Sequence, residues 1–154
     1  PPRPLTNVQM IAADGSSVDL NTFFGRWTYL FFVDADCNDS CMQLSDAIER
    51  VRLSQGKNNK RIRLMVVTLN PDSLPSLSEI RVAMPQTVVL ALELSKRERF
   101  LSQFISQTGA LTQQPSKIFL VDPLGNLMMS YPVQSEATDL RKDISRLLRA
   151  SRIG

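Results

Sequence analysis

The stretch DADCNDSCMQL, Asp34 to Leu44, decides how this chain folds. It holds both cysteines of the sequence, Cys37 and Cys41, and directly follows the apolar run WTYLFFV, Trp27 to Val33. A continuous aromatic and β-branched run of that length reads as a strand buried on both faces, which places it centrally in a sheet. After the cysteines, Leu44, Ala47, Ile48 and Val51 recur at i, i+3, i+4 and i+7, the single apolar stripe of a helix. Asp39 or Ser40 is its expected N-cap. The two thiols therefore fall just past the carboxyl end of a central strand, at the mouth of a helix. Open α/β sheets gather their active groups at that edge.

Outward from this point the chain alternates. Val8 to Leu20 reads as two short strands about a turn at Asp14-Gly15. Ile62 to Leu69 is a second buried strand, and Thr87 to Leu92 a third. Between them Ser76-Leu77-Ser78-Glu79 fits a capping box, opening a short helix that Pro85 closes. Ser95-Lys96-Arg97-Glu98 fits another, for a helix that turns Phe100, Leu101, Phe104 and Ile105 inward and stops near Gly109. Lys117 to Val121 and Leu127 to Tyr131 flank a turn at residues 123–126 and form a hairpin. A last helix runs from about Glu136 to Arg149, with Leu140, Ile144, Leu147 and Leu148 facing in and its acids and bases placed as the helix dipole prefers. The expectation is an α/β fold with a mixed central sheet flanked by helices and an N-terminal β-hairpin. Residues 1–7 read as a linker or chain end and 8–154 as one domain.

Composition narrows the chemistry. The 154 residues are 43% hydrophobic and 21% charged, with net charge +3, and no run of eighteen apolar residues occurs. The basic residues are dispersed, with concentrations at Lys57–Arg63, Lys96–Arg99 and the last dozen positions. They read as solvated faces and helix ends, not as a nucleic-acid surface. The sequence has no histidine, which removes imidazole bases, Ser-His triads and His-rich zinc sites together. Two cysteines alone do not complete a tetrahedral zinc site, and no glycine-rich phosphate loop is present.

The cysteine pair itself leaves three readings: a redox pair, a soft metal clip, or a static disulfide. One helical turn separates the two positions, within the span that a disulfide bridges. As a staple it closes so short a loop that it stabilises the fold by only roughly 2 kcal/mol. The helix N-terminus lowers a thiol pKa at this place, while Asp34, Asp36 and Asp39 raise it. If the carboxylates prevail, the couple is reducing. Gln114-Pro115-Ser116 immediately precedes KIFLV, Lys117 to Val121. Taken alone, Pro115 is as readily a loop proline that opens a strand. In thioredoxin-fold proteins a cis-proline at this place lies against the cysteine pair, and X-Pro is the bond where cis is cheap. The cis form is expected here.

The segment Asp14 to Cys41, with its Asp-Gly turn, Phe24-Gly25-Arg26-Trp27 approach, apolar strand and C-x-x-x-C with a central Asp39, resembles the Sco/SenC group of thioredoxin-like proteins. Phe119 to Tyr131 (FLVDPLGNLMMSY) resembles a later strand and turn of the same group. That resemblance implies a thioredoxin-like fold and service in assembling the copper centre of cytochrome c oxidase. It also implies a cysteine-containing partner protein among oxidase-assembly or copper-site proteins, and a periplasmic or other extracytoplasmic setting. Any membrane attachment would come through a segment absent from this sequence, and the expected form is a monomer. Sco proteins bind copper through both cysteines and one histidine, and counting eleven residues back from Gly125 gives Gln114 at the histidine's place. An amide oxygen is a hard, weak donor and does not replace imidazole for copper. Two thiolates, Cys37 and Cys41, can still hold Cu(I), and Met42 is a soft neighbour more often used for packing. The proline at this site looks instead like that of thiol–disulfide oxidoreductases of the TlpA type. The expected function is thiol–disulfide exchange, with Cys37 attacking, Cys41 resolving and Pro115 steadying the partner strand. Cu(I) carriage by the same cysteines is the alternative, and a non-catalytic adaptor with a static disulfide the second alternative.

Overall fold

The computed structural model describes residues 2–34, 36–104, 117–133, 135 and 137–151. Among the described residues eight strands form one sheet: β1 Arg3–Pro4, β2 Gln9–Ala12, β3 Ser17–Asp19, β4 Trp27–Val33, β5 Ile62–Thr68, β6 Val88–Ala91, β7 Lys117–Val121 and β8 Asn126–Pro132. Their order across the sheet is β1-β8-β7-β4-β5-β6-β2-β3. The centre is parallel, β4 beside β5 and β5 beside β6, and both flanks are antiparallel. The helices are α1 Asp39–Leu53, α2 Ser78–Ala83, α3 Leu94–Leu101 and α4 Ala137–Ala150. This is the mixed α/β architecture expected from the alternation of patterns, and β4 has the bounds that its apolar run suggests.

Side-chain alternation along the central strands divides the core in two. Trp27, Tyr29 and Phe31 of β4 join Ile62, Leu64 and Val66 of β5 and Ile118 and Leu120 of β7, under α1 and α4. Leu30 and Phe32 join Met65, Val67, Phe119 and Val121 on the opposite face, under α3. A period of two sends neighbours to opposite faces, so a strand covered on both sides must be apolar throughout. On the α3 side Phe32 meets Phe100, Phe104 and Phe119 edge-on, with ring centroids 6.3, 5.2 and 6.1 Å apart. Each such pair adds about 0.5–1.5 kcal/mol beyond simple burial.

Both sequence-expected turns are met. Asp14 accepts the Ser16 N–H at 2.9 Å and its hydroxyl at 2.6 Å, and Gly15 has φ +86°. Asp122 accepts the N–H groups of Leu124 and Asn126 at 3.0 and 2.8 Å, holding the turn between β7 and β8.

Several local expectations are corrected. Residues 2–7, expected as a linker, add β1 to the edge of β8 and bury Leu5, whose N–H donates to the Gly125 carbonyl at 3.0 Å. An exposed sheet edge recruits whatever chain passes it. The N-cap of α1 is Asn38, not Asp39 or Ser40. The Ser76–Glu79 box does not form: a 3-10 turn over Pro71–Leu77 runs into α2, and the Ser76 hydroxyl donates to the Ser73 carbonyl at 2.6 Å. Ser95 lies inside α3, whose N-cap is Glu93 with no side-chain cap bond. Leu147 is only partly buried. Ile105, Gly109, Gln114, Pro115 and Glu136 lie outside the described residues. No helix among the described residues is long and apolar enough to cross a membrane.

Candidate functional site

The chain leaves β4 at Val33, at the carboxyl rim of the parallel strands, and enters α1 at Asp39. Cys37 and Cys41 sit on this passage and are joined as a disulfide, their Cα atoms 5.1 Å apart. Asn38, between them, starts the helix: its backbone is extended and its side-chain oxygen accepts the Cys41 N–H at 3.0 Å. Cys41 is thus fixed in the first helical turn, where backbone N–H groups lack intrahelical partners. Its carbonyl accepts the hydroxyl of Ser45, a fully buried serine, at 2.9 Å. The local reason is the pattern itself: an asparagine cap, acid and serine in the first turn, then the apolar stripe.

The two sulfurs are not equivalent. Cys41 is 8% exposed and belongs to the core beneath α1, while Cys37 is partly exposed on the rim. Asp34, Asp36 and Asp39 around Cys37 are all exposed. Asp34 pairs with Arg97 of α3 at 2.9 Å, tying the loop after β4 to the helix on the opposite face. Beside the disulfide runs an open groove of about 530 Å³, lined by Phe31, Val33, Cys41, Leu44, Val133 and Leu140 among others. A larger hollow of about 690 Å³ lies between residues 6–9 and α3, and none of the residues around the disulfide lines it. Its lining holds no cysteine, so it does not compete as a site for disulfide exchange.

β7 runs antiparallel to β4, with Phe31 opposite Ile118. Lys117, the first residue of β7, therefore opens at the rim where β4 closes. The sequence-level site included Pro115, two residues earlier, which lies outside the described residues, as does Gln114. Cys37 and Cys41 are brought together as expected. Asn38 and Arg97 were not singled out as site residues. Asn38 could have been, since asparagine is among the best N-caps, whereas nothing local links Arg97 to Asp34, sixty-three positions away.

Below the site lies a buried polar contact. The Tyr131 hydroxyl donates to Asp143 at 2.8 Å, and the Tyr29 hydroxyl donates to the Leu140 carbonyl at 3.3 Å. Burial pushes both phenols well above their ordinary value, with the Asp143 carboxylate adding to it.

As metal donors, the reduced cysteines would offer two thiolates. Among the described residues no group of three or more Cys, Asp or Glu side chains converges to hold a metal, and the sequence has no histidine. Met42 packs against the apolar core. This donor set fits linear two-sulfur coordination of Cu(I) and does not fit a tetrahedral or Cu(II) site.

Residues 27–151 match the protein family described as "Transmembrane-like, thioredoxin-like, C-terminal domain". No curated protein matches the chain. Solved structures share its architecture at low identity. Yeast Sco1 with copper bound superposes with TM-score 0.75 at 14% identity, covering 98% of this chain and 96% of the other. A SCO1/SenC family lipoprotein from Bacillus anthracis gives 0.71 at 15% identity, covering 96% and 97%. The thioredoxin domain of a thiol–disulfide oxidoreductase from Bacteroides vulgatus gives 0.65 at 18% identity, covering 94% of each. The thioredoxin-like fold expected from the cysteine motif is thus the fold observed, and the Sco/SenC proteins that the motif resembles are among its structural neighbours.

Proposed function

The chain belongs to the transmembrane-like, thioredoxin-like, C-terminal domain family, and on that footing we propose that it is a thiol–disulfide oxidoreductase working through Cys37 and Cys41. The observation that carries this reading is the disulfide itself, held at the strand-to-helix rim with one sulfur on the surface and the other in the core. A static staple would gain little from so short a loop, and the fold has a large core without it.

In the reduced protein the Cys37 thiolate attacks a partner disulfide. A mixed disulfide forms and one partner thiolate leaves. The Cys41 thiolate then attacks the Cys37 sulfur, releasing the second partner thiolate and closing the Cys37–Cys41 bond. Two electrons pass from the dithiol to the partner, and a second dithiol protein must return them. The exposed carboxylates Asp34, Asp36 and Asp39 disfavour a strongly stabilised thiolate, so the couple lies on the reducing side. A lipoprotein among the structural neighbours supports an extracytoplasmic setting. A fitting partner is a copper-site or oxidase-assembly protein whose own cysteines must be reduced before metal enters. Pro115 would steady the partner strand.

Replacing Cys41 with serine removes the resolving thiol, so a mixed disulfide at Cys37 is not released. The C41S variant, challenged with a disulfide-bearing partner, is expected to accumulate a mixed disulfide at Cys37, read by mass spectrometry. If no adduct forms, the exchange reading fails.

A second reading has its own support in the copper-bound neighbour and the two-sulfur donor set: the reduced pair carries Cu(I) as cargo. Anaerobic titration separates the two. Tight stoichiometric Cu(I) uptake abolished by either Cys→Ser variant favours carriage, and weak uptake beside rapid disulfide exchange favours catalysis.

A further inference from the structure

The positive charge of the chain is not spread evenly over the folded molecule. α4 carries Arg141, Lys142, Arg146 and Arg149 against Asp139 and Asp143. The 3-10 turn over Gly56–Arg61 carries Lys57, Lys60 and Arg61 with no acid. The excess of these two segments is larger than the +3 of the whole sequence, so the remainder is net negative. Helical geometry sets Lys142, Arg146 and Arg149 on the side of α4 opposite the buried Leu140, Ile144 and Leu148, with Arg141 on the flank that faces α1.

Two contacts join the segments into one surface. Arg61 donates to the carbonyls of Leu148 and Ser151 at 3.2 and 2.9 Å, docking the turn on the end of α4. Arg52 donates to the Asn59 carbonyl at 3.2 Å, holding the same turn to α1. Arg50 of α1 and Arg141 of α4 line one small groove between the helices. Lys57, Lys60, Arg141, Lys142, Arg146 and Arg149 are all exposed and make no salt bridge among the described residues. Of the two acids on α4, Asp143 is occupied by the Tyr131 hydroxyl, and Asp139 stays exposed beside Lys142 and Arg146, so the helix keeps a net charge of +2. One turn beyond Arg50, Leu53 stands 54% exposed with no aromatic residue in the patch around it.

We propose that this face binds an anionic phospholipid surface, with the cations at the headgroups and Leu53 at the apolar boundary. Unpaired cations on α4 and on the turn, with the exposed Leu53 at the end of α1 that leads into that turn, fit a headgroup layer. A nucleic-acid surface would be expected to interleave aromatic side chains for stacking, and none is present in the patch. The fold sets the orientation. α4 starts beside Cys41, where Ala137 lines the disulfide groove, and runs away from that rim, and the turn over Gly56–Arg61 leads into β5 at the opposite edge of the sheet. The acid-rimmed disulfide then faces away from the lipid. This inference does not depend on the exchange reading.

The test is co-sedimentation of the full chain with vesicles of phosphatidylcholine alone or mixed with phosphatidylglycerol. Binding is expected only to the mixed vesicles and is expected to vanish at about 1 M salt, where charge is screened over about 3 Å. Each lost cation is expected to weaken binding about fivefold, so R146Q/R149Q should weaken it about 25-fold. The charge-matched pair R81Q/R99Q, elsewhere on the surface, should change it less than about twofold. A tryptophan at Leu53 (L53W) should shift its emission to the blue on the mixed vesicles. Equal losses from the two double variants, no shift from L53W, or binding to duplex DNA in place of vesicles would each overturn the assignment.

Discussion

Asn38 and Cys41 are joined by a hydrogen bond inside the disulfide loop: the asparagine oxygen accepts the Cys41 N–H at 3.0 Å. The residue that starts the helix is therefore also the residue that fixes the inner sulfur. Helix nucleation and thiol placement become one local event, set by five consecutive residues.

Replacing Asn38 with alanine removes that cap and is expected to cost about 1 kcal/mol of stability, while aspartate should retain most of it. Urea denaturation of both variants in the oxidised form measures this. Equal losses from alanine and aspartate would mean that the cap bond contributes nothing.

Among the described residues Gly125 is the most constrained glycine. Its φ is +89°, and a Cβ there would land in the Phe24 ring. Backbone strain of about 1–2 kcal/mol and overpacking of about 1–3 kcal/mol combine, so G125A is expected to be strongly destabilised. G15A puts a side chain at a comparable positive φ, +86°, with no atom near the new Cβ, and should show the strain alone. Thermal melts of the two variants separate the terms.

Tyr29 and Tyr131 give the fold an alkaline limit. Both phenols are held neutral in the native state, their pKa raised above the ordinary 10 chiefly by burial. A raised folded-state pKa favours the protonated form, so its contribution is whole below the unfolded value and is lost as pH rises towards the folded one. Stability is expected to be insensitive to these groups up to about pH 10 and to fall above it. The Y29F/Y131F double variant should flatten that fall. It should also cost stability at neutral pH, where the Tyr131–Asp143 bond contributes about 1.5–3 kcal/mol as a bond to a charged acceptor.

What the sequence displayed was what local pattern encodes. β4, β5, β7 and α4 are long and periodic, so their bounds were readable, and the Asp-Gly and Pro-Leu-Gly-Asn turns announced both hairpins. The caps were less readable. Asp39, Ser40 and Asn38 are all good N-caps, and Asn38 is the one whose backbone is still extended where the helix begins. The two Ser-x-x-Glu motifs failed because tertiary packing begins α2 and α3 one or two residues away from them. The edge pairing of Arg3–Pro4 with β8 and the docking of β2 on β6 are long-range contacts that no short window contains. The cysteine pair was legible because five residues hold it. The Arg97–Asp34 pair and the joined basic face of α4 and the turn over Gly56–Arg61 were not, because each needs the fold to bring distant segments together. In the sequence the concentrations of lysine and arginine read as separate solvated stretches; in the fold Arg61 joins two of them by donating to the carbonyls at the end of α4.

The most direct test of the exchange reading is the midpoint potential of the Cys37–Cys41 couple, measured in dithiol–disulfide buffers with alkylation and mass spectrometry while circular dichroism monitors the fold. One two-electron transition is expected in the folded protein, more reducing than about −180 mV. A bond that yields only when the protein unfolds, or a couple as oxidising as about −120 mV, would contradict it.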